Sequence, residues 1–308
     1  MKQSILVTGV SGFIGSRMAL RAKQEGHRVF GASRTHSEYL TTQLDIPVLT
    51  LDVLNTIDNM PEVDTIIHCA TANDMVSKDF DAGMIQSVIG THNLLDAARK
   101  IKVKNFLFFS TLQVYGTELN GIYDEDTPVR CESPYALNHY FGEEVCRMYS
   151  SLYGINVVII RPSNVYGTPD VSTINRGTLV PMCFVNEVLR QQTITLLSSG
   201  NQMRNFVSTD EVADAVLKVI LNIPNGCLIL NIGTDWNCSI INIAKIVAKT
   251  YEQEFGLKVN VNVKTDMPNQ SNSFKIHSQL SYLRNLPQNS ASCMQSTIVN
   301  LFRQLQRK

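Results

Sequence analysis

Ile5-Leu6-Val7-Thr8-Gly9-Val10-Ser11-Gly12-Phe13-Ile14-Gly15 is the stretch on which the reading of this chain turns. A short apolar run suited to a buried strand empties into a glycine-punctuated turn. Met18, Ala19, Leu20 and Ala22 then fall where one face of a helix would pack. Strand, glycine turn and helix together present backbone N–H groups and the positive end of a helix dipole to a phosphate. Each glycine has a task there: Gly9 for the tight turn, Gly12 for close approach to a pyrophosphate, Gly15 for packing helix on strand. The spacing is G-x-x-G-x-x-G rather than the commoner G-x-G-x-x-G. With a strand before it and a helix after it, the turn predicts dinucleotide binding, with Ser11, Phe13 and Ile14 inside the cradle. The plainer alternative is a βα turn whose glycines serve packing alone.

Outward from this turn, apolar runs at 28–32, 47–51, 63–70, 105–110 and 156–161 alternate with helical patterns, the longest over 80–100 and 135–153. Continuous rather than alternating apolar runs belong to strands buried on both faces. Such alternation with right-handed crossovers predicts an α/β fold, a Rossmann-type doubly wound parallel sheet. Beyond Pro162 the pattern loosens into a loop-like segment over 163–205 with one helix near 182–190. A strand at 227–232, a helix over 240–255, a polar strand-poor stretch over 256–291 and a last helix over 296–306 follow. The expected organisation is a dinucleotide-binding domain over 1–165 and a smaller, interleaved substrate-binding cap over 166–308. A segment near 205–235 is expected to return to the sheet.

Composition narrows the function. The 308 residues carry 27 basic and 27 acidic side chains and no basic block, which argues against nucleic acid or an anionic membrane as the partner. No apolar stretch approaches the about 18 residues that a membrane span needs. The chain starts directly in a strand without a leader pattern, so a cytoplasmic protein is expected. Seven scattered cysteines without a C-x-x-C pair read as reduced core residues, and six histidines without cluster spacing predict no metal site.

The strand ends supply the candidate ligands. An acid at the end of the second strand would bond ribose hydroxyls, whereas Ser33-Arg34 favours a 2′-phosphate and hence NADP over NAD. Asp52-Val53 after the third strand suits an adenine-edge contact or, equally, a helix N-cap. Cys69-Ala70-Thr71 lies where the middle of a dinucleotide would pass. Thr111 follows the fifth strand, and Ser133-Pro134-Tyr135 opens a long helix on which Tyr135 and His139 share a face. A hydroxyl, a tyrosine and a basic residue at the carboxyl edge of such a sheet form a plausible proton-transfer set for a carbinol or ketone.

These motifs together resemble the extended short-chain dehydrogenases/reductases, in the NAD-dependent epimerase/dehydratase family that acts mainly on nucleotide sugars. The resemblance rests on Thr8-Gly9-x-x-Gly12-Phe13-Ile14-Gly15, Asp52, Ile66-Ile67-His68-x-Ala70, Ser110-Thr111-x-x-Val114-Tyr115-Gly116 and Ser133-Pro134-Tyr135. It continues through Arg161-Pro162-x-Asn164-Val165-Tyr166-Gly167, Arg204-Asn205-Phe206-Val207 and Asn231-Ile232-Gly233. It implies Tyr135 as catalytic acid/base, Thr111 as the substrate-orienting hydroxyl, and Asn164 and Arg204 near a diphosphate or sugar. It also implies a homodimer through the helices at 80–100 and 135–153.

Three departures modify that expectation. The family's Y-x-x-x-K is Tyr135-x-x-x-His139 here, so a permanent cation is replaced by a group with a reference pKa of about 6.5. Leu112-Gln113 stands where sugar 4,6-dehydratases carry Asp-Glu, which disfavours a dehydratase. Ser87 replaces a common asparagine and can still hydrogen bond at the cofactor site. The resulting expectation is an NAD(P)-dependent oxidoreductase or epimerase acting on a nucleotide-activated sugar. A cofactor-binding scaffold weakened by His139, and an NADPH-dependent reductase of a non-sugar carbonyl, are the alternatives.

Overall fold

Apolar runs covered on both sides can satisfy their backbones only by pairing with one another. In the computed structural model, which describes residues 2–35, 37–174, 176–264, 273–278 and 291–306, seven of them do so in parallel. They are β1 (Ser4–Thr8), β2 (Arg28–Ser33), β3 (Val48–Thr50), β4 (Thr65–His68), β5 (Asn105–Phe109), β6 (Asn156–Pro162) and β7 (Cys227–Ile232). Their order is β7-β6-β5-β4-β1-β2-β3, with Leu6 of β1 facing Phe30 on one side and Ile66 on the other. The chain leaves β1 in one direction and returns to β4 in the other, which opens a crevice beyond the carboxyl ends of these two strands.

Helices cover both faces: α1 (Phe13–Gln24), α2 (Ser37–Leu44), α3 (Phe80–Met84), α4 (Gly90–Lys100), α5 (Pro134–Tyr153), α6 (Met182–Gln191), α7 (Thr209–Ile220), α8 (Ile240–Phe255) and α9 (Ala291–Gln306). A π-helical turn, Ile85–Ile89, joins α3 to α4. Side chains alternate across a strand, so Ile5, Val7, Ile67 and Leu107 enter one core with α1 and α7. Leu6, Ile66, Phe106 and Phe108 enter the other with α4 and α5. Ser133 caps α5 by accepting the Ala136 N–H at 3.2 Å, Pro134 follows at the first turn, and Gly154 ends the helix at φ 70°.

The second half differs from the expectation in particulars. Among the described residues of this half, 227–232 alone joins the main sheet. The strand at 203–208 instead pairs in parallel with 164–166 and antiparallel with 237–239, in a separate three-stranded sheet. The stretch over 163–205, read as loop plus one helix, also contains a strand at 193–196 that pairs with 260–263. These short strands interleave polar with apolar residues, so no continuous apolar run marks them. The α7 helix left a usable signal, the Ser208-x-x-Glu211 capping box, with both reciprocal bonds formed. The last helix starts at Ala291, earlier than expected. Of the polar stretch after 256, residues 265–272 and 279–290 lie outside the described residues.

The segment after 166 is strapped over the crevice. Arg17 binds Asp170 at 2.9 Å and the Thr168 carbonyl at 3.3 Å, Tyr39 and Ser172 share a 2.5 Å hydrogen bond, and Thr178 reaches Asp74 at 3.4 Å. No helix among the described residues is long and apolar enough to cross a membrane.

Candidate active site

The glycine turn is sterically committed. Gly9 has φ +73°, and a Cβ there would lie 2.9 Å from the Cys69 carbonyl group. A Cβ on Gly15 would meet the Gly9 carbonyl oxygen at 2.3 Å. The turn is closed by Gly12 N–H donating to the Gly9 carbonyl at 2.8 Å and Gly9 N–H donating to the Ala32 carbonyl at 2.9 Å. Gly12 is the N-cap of α1 and offers no side-chain acceptor, and the first turn carries no acid. The dipole's positive end therefore faces the crevice uncompensated.

A cavity of about 440 Å³ runs from this turn along the sheet edge. Gly9, Ser11, Gly12, Phe13, Ile14, Gly15, Ser33, Arg34, Asp52, Val53, Cys69, Ala70, Thr71, Thr111, Tyr135, His139 and Asn164 all line it. Ser33 donates its hydroxyl to the Thr35 carbonyl at 2.9 Å, while Arg34 is exposed. Asp52 accepts the Leu54 N–H at 3.0 Å, so its carboxylate caps a turn while it borders the cavity. Burial pushes the Cys69 thiol far up, which makes it a neutral wall.

Two expected residues lie elsewhere. Ser87 is buried in the π-helical turn and accepts the Ala72 N–H at 3.1 Å; it holds the loop after β4 and does not line the cavity. Arg204 borders a second cavity of about 140 Å³, which shares Thr111, Gln113 and Asn164 with the first. Burial lowers the Arg204 pKa, and the guanidinium donates to its neighbour's carbonyl, Met203, at 3.1 Å. Asn164 spends its amide on the Asn205 carbonyl at 2.8 Å.

At the opposite end from Arg34, Thr111 caps the short 3-10 turn after β5, accepting the Gln113 N–H at 3.2 Å. Thr111 and Tyr135 both line this end of the cavity. Enclosure by protein pushes the Tyr135 pKa above its usual value of 10, against the opposing influence of Thr111 and Arg176; Asp74 adds to the rise. His139 is 2 % exposed, and its ring centroid lies 4.3 Å from that of Tyr135. Its Nδ1 is 2.8 Å from the Tyr135 carbonyl. A carbonyl only accepts, so Nδ1 carries the proton and Nε2 is left as an acceptor. Burial lowers the His139 pKa to about 4, so the imidazole is neutral at pH 7.

Behind this corner sits a network that the sequence reading did not single out. Glu143, fully buried on α5, accepts from Arg161 of β6 at 2.8 and 2.5 Å and from Ser110 at 2.5 Å. Arg161 also donates to the Tyr115 hydroxyl at 2.8 Å, which donates to Asn231 at 3.0 Å. The helix carrying Tyr135 is thereby tied to the strand end carrying Thr111. The signal was present, since Tyr135, His139 and Glu143 recur every four residues on one helix face. Arg176 and Asp74, which influence Tyr135 from the strap and the loop after β4, left none. No group of three or more metal-ligating side chains occurs among the described residues.

The sequence model of the NAD-dependent epimerase/dehydratase family matches residues 5–233. A putative UDP-glucose 4-epimerase of Methanocaldococcus jannaschii is 31% identical over 254 residues, covering 79% of this chain and 81% of that protein. The human dTDP-D-glucose 4,6-dehydratase is 28% identical over 258 residues, covering 78% and 72%. In fold, the UDP-glucuronic acid 4-epimerase of Bacillus cereus, solved in complex with NAD, superposes with a TM-score of 0.80 at 23% identity, over 98% of this chain and 97% of that one. With three quarters of its length accounted for, the chain belongs to the NAD-dependent epimerase/dehydratase family.

Proposed function

We propose that this protein is a nicotinamide-dependent nucleotide-sugar 4-epimerase in which Tyr135 is the acid/base. The observation that carries the reading is that Tyr135 and Thr111 together line the far end of a cavity that begins at the glycine turn. The cofactor fits this cavity: the N–H groups of the first turn of α1 and Ser11 would hold its pyrophosphate, because that helix start borders the cavity with no side-chain cap and no acid. Asp52 and Val53 would border the adenine, Cys69, Ala70 and Thr71 the middle of the molecule, and His139 Nε2 would accept from a ribose hydroxyl. When bound, the nicotinamide supplies the carbon that takes up and returns hydride.

The chain's own residues handle the proton. Thr111 orients the 4-hydroxyl of the sugar, and Tyr135 takes the hydroxyl proton as C4 is oxidised and returns it to the same oxygen when C4 is reduced from its other face. Asn164 and Arg204, across the second cavity, would hold the diphosphate, and residues 166–308 would form most of the substrate side. Leu112 is buried and Gln113 is a neutral amide, so no carboxylate follows Thr111 to drive elimination of water. An exposed apolar face on α3, the π-helical turn and α5, with Phe80, Ile85, Ile89, Met148 and Leu152, supports a homodimer.

The test is incubation of freshly purified protein with UDP-glucose, alone or with NAD+ or NADP+, followed by proton NMR. UDP-glucose and UDP-galactose are expected to equilibrate with no net use of nicotinamide. Tyr135→Phe should slow conversion by about 10²–10⁴-fold while retaining cofactor. Failure to convert any UDP- or dTDP-hexose with either nucleotide would overturn the proposal. A second reading, an NADPH-consuming 4-ketoreductase, is supported by Ser33-Arg34, which leaves the end of β2 without an acid; stoichiometric loss of NADPH with a keto sugar would favour it.

A further inference from the structure

We propose that Arg176, tempered by Asp74, supplies the positive charge beside Tyr135 that His139 cannot carry. The inference rests on Tyr135 being the proton-transfer group. On α5 itself nothing facing the phenol is cationic: His139 is buried, its Nδ1–H is committed to the Tyr135 carbonyl, and its ring is neutral. Arg176, on the segment strapped over the crevice, lines the same cavity as Tyr135, His139 and Thr111. Its guanidinium stands 3.6 Å from Asp74, beyond hydrogen-bonding distance, and its Nε is buried without a hydrogen-bond partner. The other Asp74 oxygen is occupied by the Thr178 hydroxyl at 3.4 Å. Asp74 is thus a long ion-pair partner of Arg176, whose Nε stays buried without a partner among the described residues.

Among the described residues, the groups that act on Tyr135 are the Thr111 hydroxyl, the His139 ring and Arg176, which line the cavity with it, and Asp74, which pairs with Arg176. Enclosure raises the phenol's pKa, Thr111 and Arg176 oppose the rise, and Asp74 reinforces it. Guanidinium keeps its proton at every relevant pH, so it can support a phenolate where an imidazole with a pKa of about 4 cannot. Arginine from the strap and aspartate from the loop after β4 thus act on the tyrosine with opposite signs. Both are positioning residues, since they work through Tyr135.

The test is an alkaline absorbance titration of the intact protein, subtracting the same trace from its Tyr135→Phe counterpart to remove the other tyrosines. It uses no substrate, so it reads the electrostatics whether or not UDP-glucose is converted. Arg176→Gln should raise the Tyr135 midpoint by about one unit, and Asp74→Asn should lower it. Arg176→Lys should stay close to the unmodified protein. The pH profile of UDP-glucose conversion should move in the same order. Shifts in the same direction for Arg176→Gln and Asp74→Asn, or no shift in folded Arg176→Gln, would overturn the proposal. Should Arg176→Gln not fold, Asp74→Asn decides, and a midpoint that fails to fall sinks the idea.

Discussion

The glycine cradle and the Tyr135–His139 corner lie at two ends of one cavity and are built from different material. The cradle is backbone: a left-handed Gly9, a Gly15 that admits no Cβ, and the bare N-terminus of α1. The corner is made of side chains whose behaviour depends on what surrounds them. Tyr135, with an ordinary pKa of about 10, is pushed further up, and His139, nominally a base near neutrality, is held neutral. Backbone-built features are local and tolerate almost no substitution. Environment-built features accept different residues, provided that the surrounding field compensates.

Three experiments would break or sharpen this contrast. The largest effect is expected at Glu143. Glu143→Ala leaves Arg161 buried without its carboxylate and should cost about 3–5 kcal/mol of stability in urea unfolding. A loss within experimental error would mean that the corner does not depend on its buried ion pair. Gly15→Ala should come next, at about 1–3 kcal/mol for overpacking against the Gly9 carbonyl. Calorimetric titration with NADH should then show binding lost, with the Tyr135 corner intact by near-UV dichroism. Retained affinity would place the cradle among the tolerant features. The smallest effect is expected at Arg34, where Arg34→Ala should weaken NADPH binding about tenfold, roughly 1.4 kcal/mol, and leave NADH unchanged. Tighter binding of NADH than NADPH by the unmodified protein would remove the assigned 2′-phosphate contact.

The same contrast explains what could be read before the structure. The strands β1 to β7 announced themselves because each is a continuous apolar run, and α8 ends where its periodicity ends, at Phe255. The cradle was legible because its glycines are adjacent in the chain. The short strands at 164–166 and 237–239 were not, since three residues carry no period. Ser87 was assigned to the cofactor by likeness of position, but its hydroxyl reaches the Ala72 N–H first. Asp74 and Arg176 are about a hundred residues apart and come within 3.6 Å only after the sheet has formed, so neither position marks itself. The neutrality of His139 is likewise a property of its burial and not of its letter.

The Glu143–Arg161 pair gives α5 two sides with unequal freedom. Its inner side is held to β6 and to the strand end that carries Thr111, while its outer side, with Phe141, Met148 and Leu152, is exposed. Sequence drift on the outer side therefore leaves the spacing of Thr111 and Tyr135 alone. A lineage can change what docks on this helix without rewriting its chemistry, and a designer can do the same.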